Sequence, residues 1–128
     1  MKKLLVIDDV RENLISIKET LEDLIPDCLV ITTMSGKVGL ELAKEGQPDI
    51  IISDVTMSEM DGMEVCKRLK EDEATKHIPI MIFTGSKTDS ETRIKCLEAG
   101  ADVFLTKPID TGELTAQINV MLRIKEVR

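Results

Sequence analysis

The chain has 128 residues, a formal net charge of −7 and only 2% aromatic residues, with no Trp or Tyr. This length suits one compact domain with its own core. The negative charge argues against direct binding of nucleic acid or an anionic membrane, and the scarcity of aromatic residues removes a platform for stacked bases. No apolar run approaches the ~20 residues that cross a bilayer, and the apolar stretch near the N-terminus is too short for a secretory signal. We therefore expect a cytoplasmic protein with no direct nucleic-acid or membrane partner.

Short β-rich runs alternate with stretches of helical spacing along the chain. The runs span residues 4–7, 29–32, 50–52, 78–83 and 103–105. Between them apolar residues recur every three or four positions, as one buried face of a helix requires. The runs themselves are nearly continuous in apolar residues, which is typical of a parallel sheet with helices on both faces. The sequence therefore predicts five β-α units in strict alternation.

Capping residues mark the expected helix boundaries. Asp61 and Asp110 are each followed three residues later by a glutamate, which is an aspartate version of the capping box. Gly46 and Gly100 stand where helices are expected to end. We predict a single domain over residues 1–128. No glycine or proline ends its last helix, about residues 110–128, so the helix either frays at Arg128 or continues into a downstream domain.

The three cysteines are widely spaced, odd in number and form no CxxC pair; they are Cys28, Cys66 and Cys96. Free cysteines in a reducing compartment usually behave as small buried hydrophobes. We expect that structural role here rather than a zinc site.

Charged and polar residues follow four of the five predicted strands. Asp8 and Asp9 follow the first strand, Asp54 the third, Thr84 the fourth and Lys107 the fifth. In an open parallel sheet the carboxyl ends of all strands lie along one edge, and ligands bind in the crevice there. Three carboxylates, a hydroxyl and an ammonium are therefore expected to converge on one site.

These residue types suit phosphoryl transfer with Mg²⁺. Clustered carboxylates repel one another unless a cation neutralises them, and Mg²⁺ prefers such hard oxygen ligands. An aspartate can attack a phosphoryl group to give an aspartyl phosphate, and lysine and threonine donors suit the oxygens of the transferred group. Each residue alone has a plainer interpretation, since Asp8 and Asp9 could simply cap a helix that begins near Val10. The occurrence of all these residues at strand ends favours phosphoryl transfer with Mg²⁺ over the plainer interpretations.

The chain resembles the receiver domain of two-component response regulators in four segments that occur in the expected order. They read LLVIDDVRENL, DIIISDVTMSEMDGMEVCKRLK, IPIMIFTG and AGADVFLTKP, and the resemblance covers essentially the whole chain. It implies a flavodoxin-like, doubly wound α/β fold with a five-stranded parallel sheet in the order 2-1-3-4-5, as in chemotaxis regulators.

The resemblance also implies an acceptor and its metal ligands. Asp54 would be the phosphoacceptor, taking a phosphoryl group from the phosphohistidine of a sensor histidine kinase or a histidine phosphotransfer protein. Asp8, Asp9, Asp54 and the backbone carbonyl of Thr56 would hold Mg²⁺, with Asp9 and Asp54 as the direct carboxylate ligands. The domain would promote its own phosphotransfer and dephosphorylation and would otherwise be regulatory rather than an enzyme.

The remaining residues of the resemblance belong to the switch. Lys107 would pair with the phosphoryl group, and the bond from Lys107 to Pro108 would be cis. Thr84 would bond a phosphoryl oxygen and shift inward, while Phe104, the switch aromatic, turns inward with it. Phosphorylation would thereby bias a two-state equilibrium of the helix 4–strand 5–helix 5 face. An output domain, a target protein or a second copy of the chain could bind that face.

Two residues depart from the usual pattern of this family. Ser58 stands where proline is frequent, which makes the loop after the acceptor less rigid. Gly85 follows Thr84 where alanine is common, which gives that loop extra backbone freedom. The departure at Ser58 concerns the kinetics of metal binding and dephosphorylation and leaves the acceptor role unchanged.

Two other functions stay open. A phosphatase of the haloacid dehalogenase type also uses an aspartate nucleophile after an apolar strand, but it has a second aspartate two residues later, where this chain has Thr56. A receiver-like interaction module that is never phosphorylated would keep the same fold. The intact set of strand-end residues argues against that second alternative.

Overall fold

The computed structural model describes residues 1–85 and 90–127, with side chains in the last helix described up to Arg123. Within these residues the predicted alternation of five strands and five helices is confirmed. The strands are β1 Lys2–Ile7, β2 Cys28–Thr33, β3 Ile50–Asp54, β4 Ile80–Thr84 and β5 Val103–Thr106. The helices are α1 Arg11–Leu24, α2 Gly36–Gly46, α3 Gly62–Glu71, α4 Ser90–Glu98 and α5 Thr111–Val127. The expected fraying or continuation at Arg128 lies outside the described residues.

The strands form one parallel sheet in the order β2-β1-β3-β4-β5, which confirms the expected doubly wound fold. The register pairs Ile7 with Ser53 and Asp54 with Phe83. Because β1 and β3 are neighbours, the residues that follow Ile7 lie beside the end of β3. The topology thus brings together two strand ends that are more than forty residues apart in sequence.

Two core layers, one on each face of the sheet, hold the strands in place. Alternate residues of a strand face opposite sides, so Leu4 and Ile52 pack beneath α1 and α5 while Leu5 and Ile51 pack beneath α2, α3 and α4. All four of these side chains are at most 1% exposed. The packed strands therefore hold the polar residues at the carboxyl edge of the sheet in fixed positions.

The predicted helix starts are confirmed. The Asp61 carboxylate accepts a hydrogen bond from the Glu64 amide at 2.8 Å, and Asp110 accepts one from the Gly112 amide at 2.9 Å. Such caps satisfy amides that have no partner within the helix. They fix where α3 and α5 leave the loops that surround the candidate site.

The cysteines occupy structural positions, as expected. Cys66 and Cys96 are buried, Cys28 is half-buried, and all three are free thiols. Burial raises the pKa of the Cys66 thiol to about 12, so it stays protonated and unreactive at neutral pH.

Among the helices of the described chain, none has both the length and the apolar character needed to cross a membrane.

Candidate functional site

The carboxyl edge of the sheet brings one lysine and two aspartates into contact. Lys107 Nζ lies 3.1 Å from Asp54 Oδ2 and 3.7 Å from Asp8 Oδ2. The two carboxylate side chains are 12% and 8% exposed, whereas the lysine side chain is 30% exposed. The two acidic groups are therefore largely shielded from water, and Lys107 contacts both of them.

Asp8 is the most constrained of the acidic side chains. Its Oδ1 accepts a hydrogen bond from the Val10 amide at 2.9 Å, and its Oδ2 accepts one from Asn13 Nδ2 at 3.2 Å. Loss of hydration on burial raises the pKa of Asp8, and the charge of Asp54 raises it further, while the Val10 amide and Lys107 oppose the shift. The negative charge at this edge is thus only partly neutralised by the protein.

The end of β3 fixes the position of Asp54. The loop after it closes on itself through a hydrogen bond from the Gly62 amide to the Val55 carbonyl at 2.9 Å. A side chain at position 62 would collide with the Asp54 carbonyl, so glycine lets α3 begin directly against the strand. The Thr56 amide lies 3.4 Å from Asp54 Oδ1. The Asp54 carboxylate is therefore held at the mouth of the sheet by rigid neighbours.

Asp9 contacts a different part of the molecule from Asp8 and Asp54. Its Oδ2 accepts a hydrogen bond from the Ser58 amide at 2.8 Å, which ties it to the loop after β3. Across residues 1–85 and 90–127, no three acidic, histidine or cysteine side chains are grouped closely enough to hold one metal ion. The structure thus brings Asp8, Asp54 and Lys107 together as predicted, but it places Asp9 against the loop instead.

The two predicted switch residues lie at the end of β4 and in β5. Thr84 is fully buried, and its carbonyl accepts a hydrogen bond from the Lys107 amide at 2.7 Å. Phe104 is half-buried and packs against the core layer beneath α2, α3 and α4. The predicted cis bond between Lys107 and Pro108 is confirmed. The switch roles of Thr84 and Phe104 stay predictions.

A cavity of about 280 Å³ adjoins the contact between the lysine and the two aspartates. Asp8, Asp54 and Lys107 line it together with apolar residues of the sheet and polar residues of α1. A small anionic group that enters this space meets one ammonium and the exposed part of the Asp54 carboxylate. This arrangement suits the transfer of a phosphoryl group to an aspartate.

Two contacts of the site were not predicted from the sequence. Asn13 donates to Asp8 from the first turn of α1, and the Ser58 amide donates to Asp9. An amide side chain five residues after an acidic pair gave a weak signal for the first contact. The second involves a backbone group, and only the unusual residue type at position 58 pointed to it.

Comparison with known proteins identifies the family of the chain. The model of the response regulator receiver domain family matches residues 4–119. The chain is 42% identical over 127 residues to response regulator PleD of Caulobacter vibrioides, which covers 98% of this chain and 27% of that protein. It is 35% identical over 126 residues to the alkaline phosphatase synthesis transcriptional regulatory protein PhoP of Bacillus subtilis, which covers 98% and 50%. The chain thus spans about a quarter to a half of these curated relatives.

Solved structures give the same result. A response regulator receiver domain protein from Clostridium thermocellum superposes with a TM-score of 0.89 at 31% identity, over 99% of this chain and 98% of that one. The chemotaxis protein CheY4 of Vibrio cholerae superposes with a TM-score of 0.86 at 30% identity, over 95% and 99%. The chain belongs to the receiver domain family of two-component response regulators.

Proposed function

We propose that this receiver domain is a phosphoacceptor switch in which Asp54 takes a phosphoryl group from the phosphohistidine of a sensor histidine kinase or a histidine phosphotransfer protein. The contact of Lys107 with Asp54 at 3.1 Å and with Asp8 at 3.7 Å carries the proposal. It supplies a nucleophile and a cation at one cavity, on elements that the sheet holds rigidly.

The transfer is a displacement at phosphorus. A carboxylate oxygen of Asp54 attacks the phosphorus atom, the bond from phosphorus to nitrogen breaks, and its electron pair returns to the imidazole of the donor. Lys107 then exchanges its Asp54 partner for a phosphoryl oxygen and balances the incoming charge. The Thr84 hydroxyl donates to a second phosphoryl oxygen.

Mg²⁺ is the metal that the donor set fits. Asp8, Asp9 and Asp54 offer carboxylate oxygens and Thr56 offers a backbone carbonyl, all of which are hard ligands. When bound, Mg²⁺ supplies positive charge to the oxygens of the phosphoryl group. Burial raises the pKa of Asp8, and the charge of Asp54 raises it further. This supports the assignment, because a bound cation would stabilise both ionised carboxylates.

The response to phosphorylation involves the face formed by α4, β5 and α5. Thr84 moves towards the phosphoryl group, Phe104 turns inward, and the equilibrium between two arrangements of this face shifts. Ile94 and Leu97 on α4 are 53% and 51% exposed, which supports the face as a binding surface. An output domain, a target protein or a second copy of the chain would bind there.

The phosphatase alternative has less support. Family membership accounts for Asp8 and Asp9, which follow β1 and which the haloacid dehalogenase interpretation does not explain. That interpretation also requires a general acid at the position of Thr56, whose hydroxyl does not supply one near neutral pH. The regulatory role is therefore the one that we propose.

Intact-mass measurement tests the proposal. The chain is incubated with Mg²⁺ and acetyl phosphate, and we expect one phosphoryl adduct on the wild type and on the control variant Asp23→Asn. Asp54→Asn and a metal-chelated sample should show none. Release of inorganic phosphate from the donor identifies an adduct that hydrolyses too fast to be weighed. If the wild type gives neither adduct nor release, the non-phosphorylated interaction module replaces the proposal.

A further inference from the structure

The hydrogen bond from the Ser58 amide to Asp9 Oδ2, at 2.8 Å, joins the two loops that follow β1 and β3. We infer that the Ser58 amide is a positioning group that withholds Asp9 from the metal site, so that Mg²⁺ binds only when this hydrogen bond breaks. The inference rests on the proposed function and extends it by assigning a determinant of metal affinity to position 58.

The location of Asp9 supports this inference. Asp9 lines a cavity of about 230 Å³ together with Met57, Ser58 and Met60, on the side of the loop that faces the start of α2. Asp8, Asp54 and Lys107 line the other cavity, of about 280 Å³. The described residues contain no ready group of three acidic ligands. We therefore expect Asp9 to turn away from the loop when it joins Asp54 at a metal ion.

The Ser58 amide cannot move together with Asp9 towards the metal site. The loop after β3 is closed by the hydrogen bond from the Gly62 amide to the Val55 carbonyl and is capped at Asp61, so its backbone is anchored at both ends. A hydrogen bond from an amide to a carboxylate is stronger than one between neutral groups. The contact is exposed to solvent, which limits its strength. Competition between the amide and the metal is therefore measurable but moderate.

The residue type at position 58 decides whether the donor exists. Proline has no amide hydrogen and cannot make this bond, whereas alanine keeps the amide and loses only the hydroxyl. Ser58→Pro and Ser58→Ala are thus a matched pair that separates the backbone donor from the side chain.

Calorimetric titration of the metal-free chain with MgCl₂ tests the inference. We expect Ser58→Pro to bind Mg²⁺ about three- to tenfold more tightly than the wild type, because the competing hydrogen bond is gone. Ser58→Ala should bind like the wild type. Equal or weaker binding by Ser58→Pro overturns the inference, as does equal tightening in both variants. If the wild type and both variants bind no Mg²⁺, the proposed function fails instead.

The amide resonance of Ser58 separates the hydrogen bond from the added stiffness of proline. In the metal-free wild type this proton should resonate downfield, and Asp9→Ala should move it upfield while Asp23→Ala does not. Addition of MgCl₂ to the wild type should produce the same upfield movement. A Ser58 resonance that ignores Asp9→Ala, or that stays downfield with Mg²⁺ bound, contradicts the inference even if Ser58→Pro binds more tightly.

Discussion

Two lysine–aspartate pairs lie at opposite edges of the same sheet, and their surroundings differ. At the amino edge, Lys70 Nζ lies 3.4 Å from Asp102 Oδ2 and also donates to the carbonyls of Lys76 and Ile78, at 3.2 and 2.9 Å. At the carboxyl edge, Lys107 Nζ instead contacts two carboxylates. Lys70 donates largely to fixed backbone carbonyls. Lys107 instead contacts two aspartates that are both negatively charged.

The acidic partners differ in the same way. Asp102 Oδ2 accepts a hydrogen bond from the Ile80 amide at 2.9 Å, so it ties the start of β5 to the start of β4. Asp54 shares its lysine with Asp8 and faces a cavity. The Lys70–Asp102 pair links two strands. The Lys107–Asp54 pair leaves negative charge beside a cavity, where a cation can bind and a carboxylate can react with a phosphoryl donor. Residue type alone does not distinguish a structural ion pair from a functional one, but the neighbouring backbone groups do.

The largest contrast is expected in phosphorylation. Lys107→Met should slow formation of the phosphoryl adduct with acetyl phosphate by about 100-fold, because it removes the cation that meets the phosphoryl oxygens. Lys70→Met should leave the rate unchanged at a temperature where both variants are folded. Time courses of intact mass provide the measurement, and equal losses in the two variants would contradict the distinction.

Stability should show the opposite contrast. Lys70→Met should lower the free energy of unfolding by about 2–3 kcal/mol, since the shielded Asp102 carboxylate and two carbonyls lose a donor. Lys107→Met should also lower it, because Asp8 and Asp54 then repel each other without that cation, but by less than Lys70→Met, since the Lys107 side chain is 30% exposed and that of Lys70 is 19% exposed. Urea titrations of the metal-free proteins compare the two, and a greater loss for Lys107→Met would refute the assignment.

Neutralising the aspartate of each pair should change stability in opposite directions. At neutral pH, Asp8→Asn should raise the free energy of unfolding of the metal-free chain by about 0.5–1 kcal/mol, because it removes a buried charge that Asp54 repels. Asp102→Asn should lower the same quantity, since that carboxylate serves both Lys70 and a backbone amide. Paired urea titrations decide the sign of each change, and loss of stability in both variants would count against excess negative charge at the site.

The gain from Asp8→Asn should depend on pH. The pKa of Asp8 is raised in the folded chain, so its contribution to stability is fully present below its ordinary pKa and is lost as pH rises through the folded value. The variant's advantage should therefore shrink as pH falls towards the ordinary aspartate pKa, where Asp8 in the wild type is already protonated. Unfolding free energies measured at several pH values test this, and an advantage that grows on acidification would be inconsistent with it.

Periodicity and strand-end chemistry predicted the part of the fold that depends on local pattern. The five apolar runs became five strands, although the fourth was predicted over residues 78–83 and is observed over Ile80–Thr84. Pro79 lies within the predicted run and cannot donate a hydrogen bond to a strand ladder. The contact of Lys107 with Asp54 followed from topology, because strand ends in a parallel sheet share one edge.

The contacts that the sequence did not predict depend on three-dimensional register. Lys70 and Asp102 are 32 residues apart, and no local sequence pattern pairs them. Helix α2 ends at Gly46, as expected, but the left-handed residue that caps it is Gln47, with φ 48°. Its Nε2 donates to the Ala74 carbonyl at 2.8 Å, so a tertiary contact supports a conformation that usually favours glycine. The sequence also did not predict the orientation of the Asp9 side chain, because that orientation depends on the Ser58 backbone amide in another loop.

The location of the phosphoryl group tests the acceptor role of Asp54. The chain is phosphorylated with acetyl phosphate and Mg²⁺, the acyl phosphate is reduced with borohydride, and the modified residue is found by peptide sequencing in a mass spectrometer. Our account predicts homoserine at position 54 and unmodified aspartates at positions 8 and 9. Homoserine at position 8 or 9, with Asp54 intact, would contradict it.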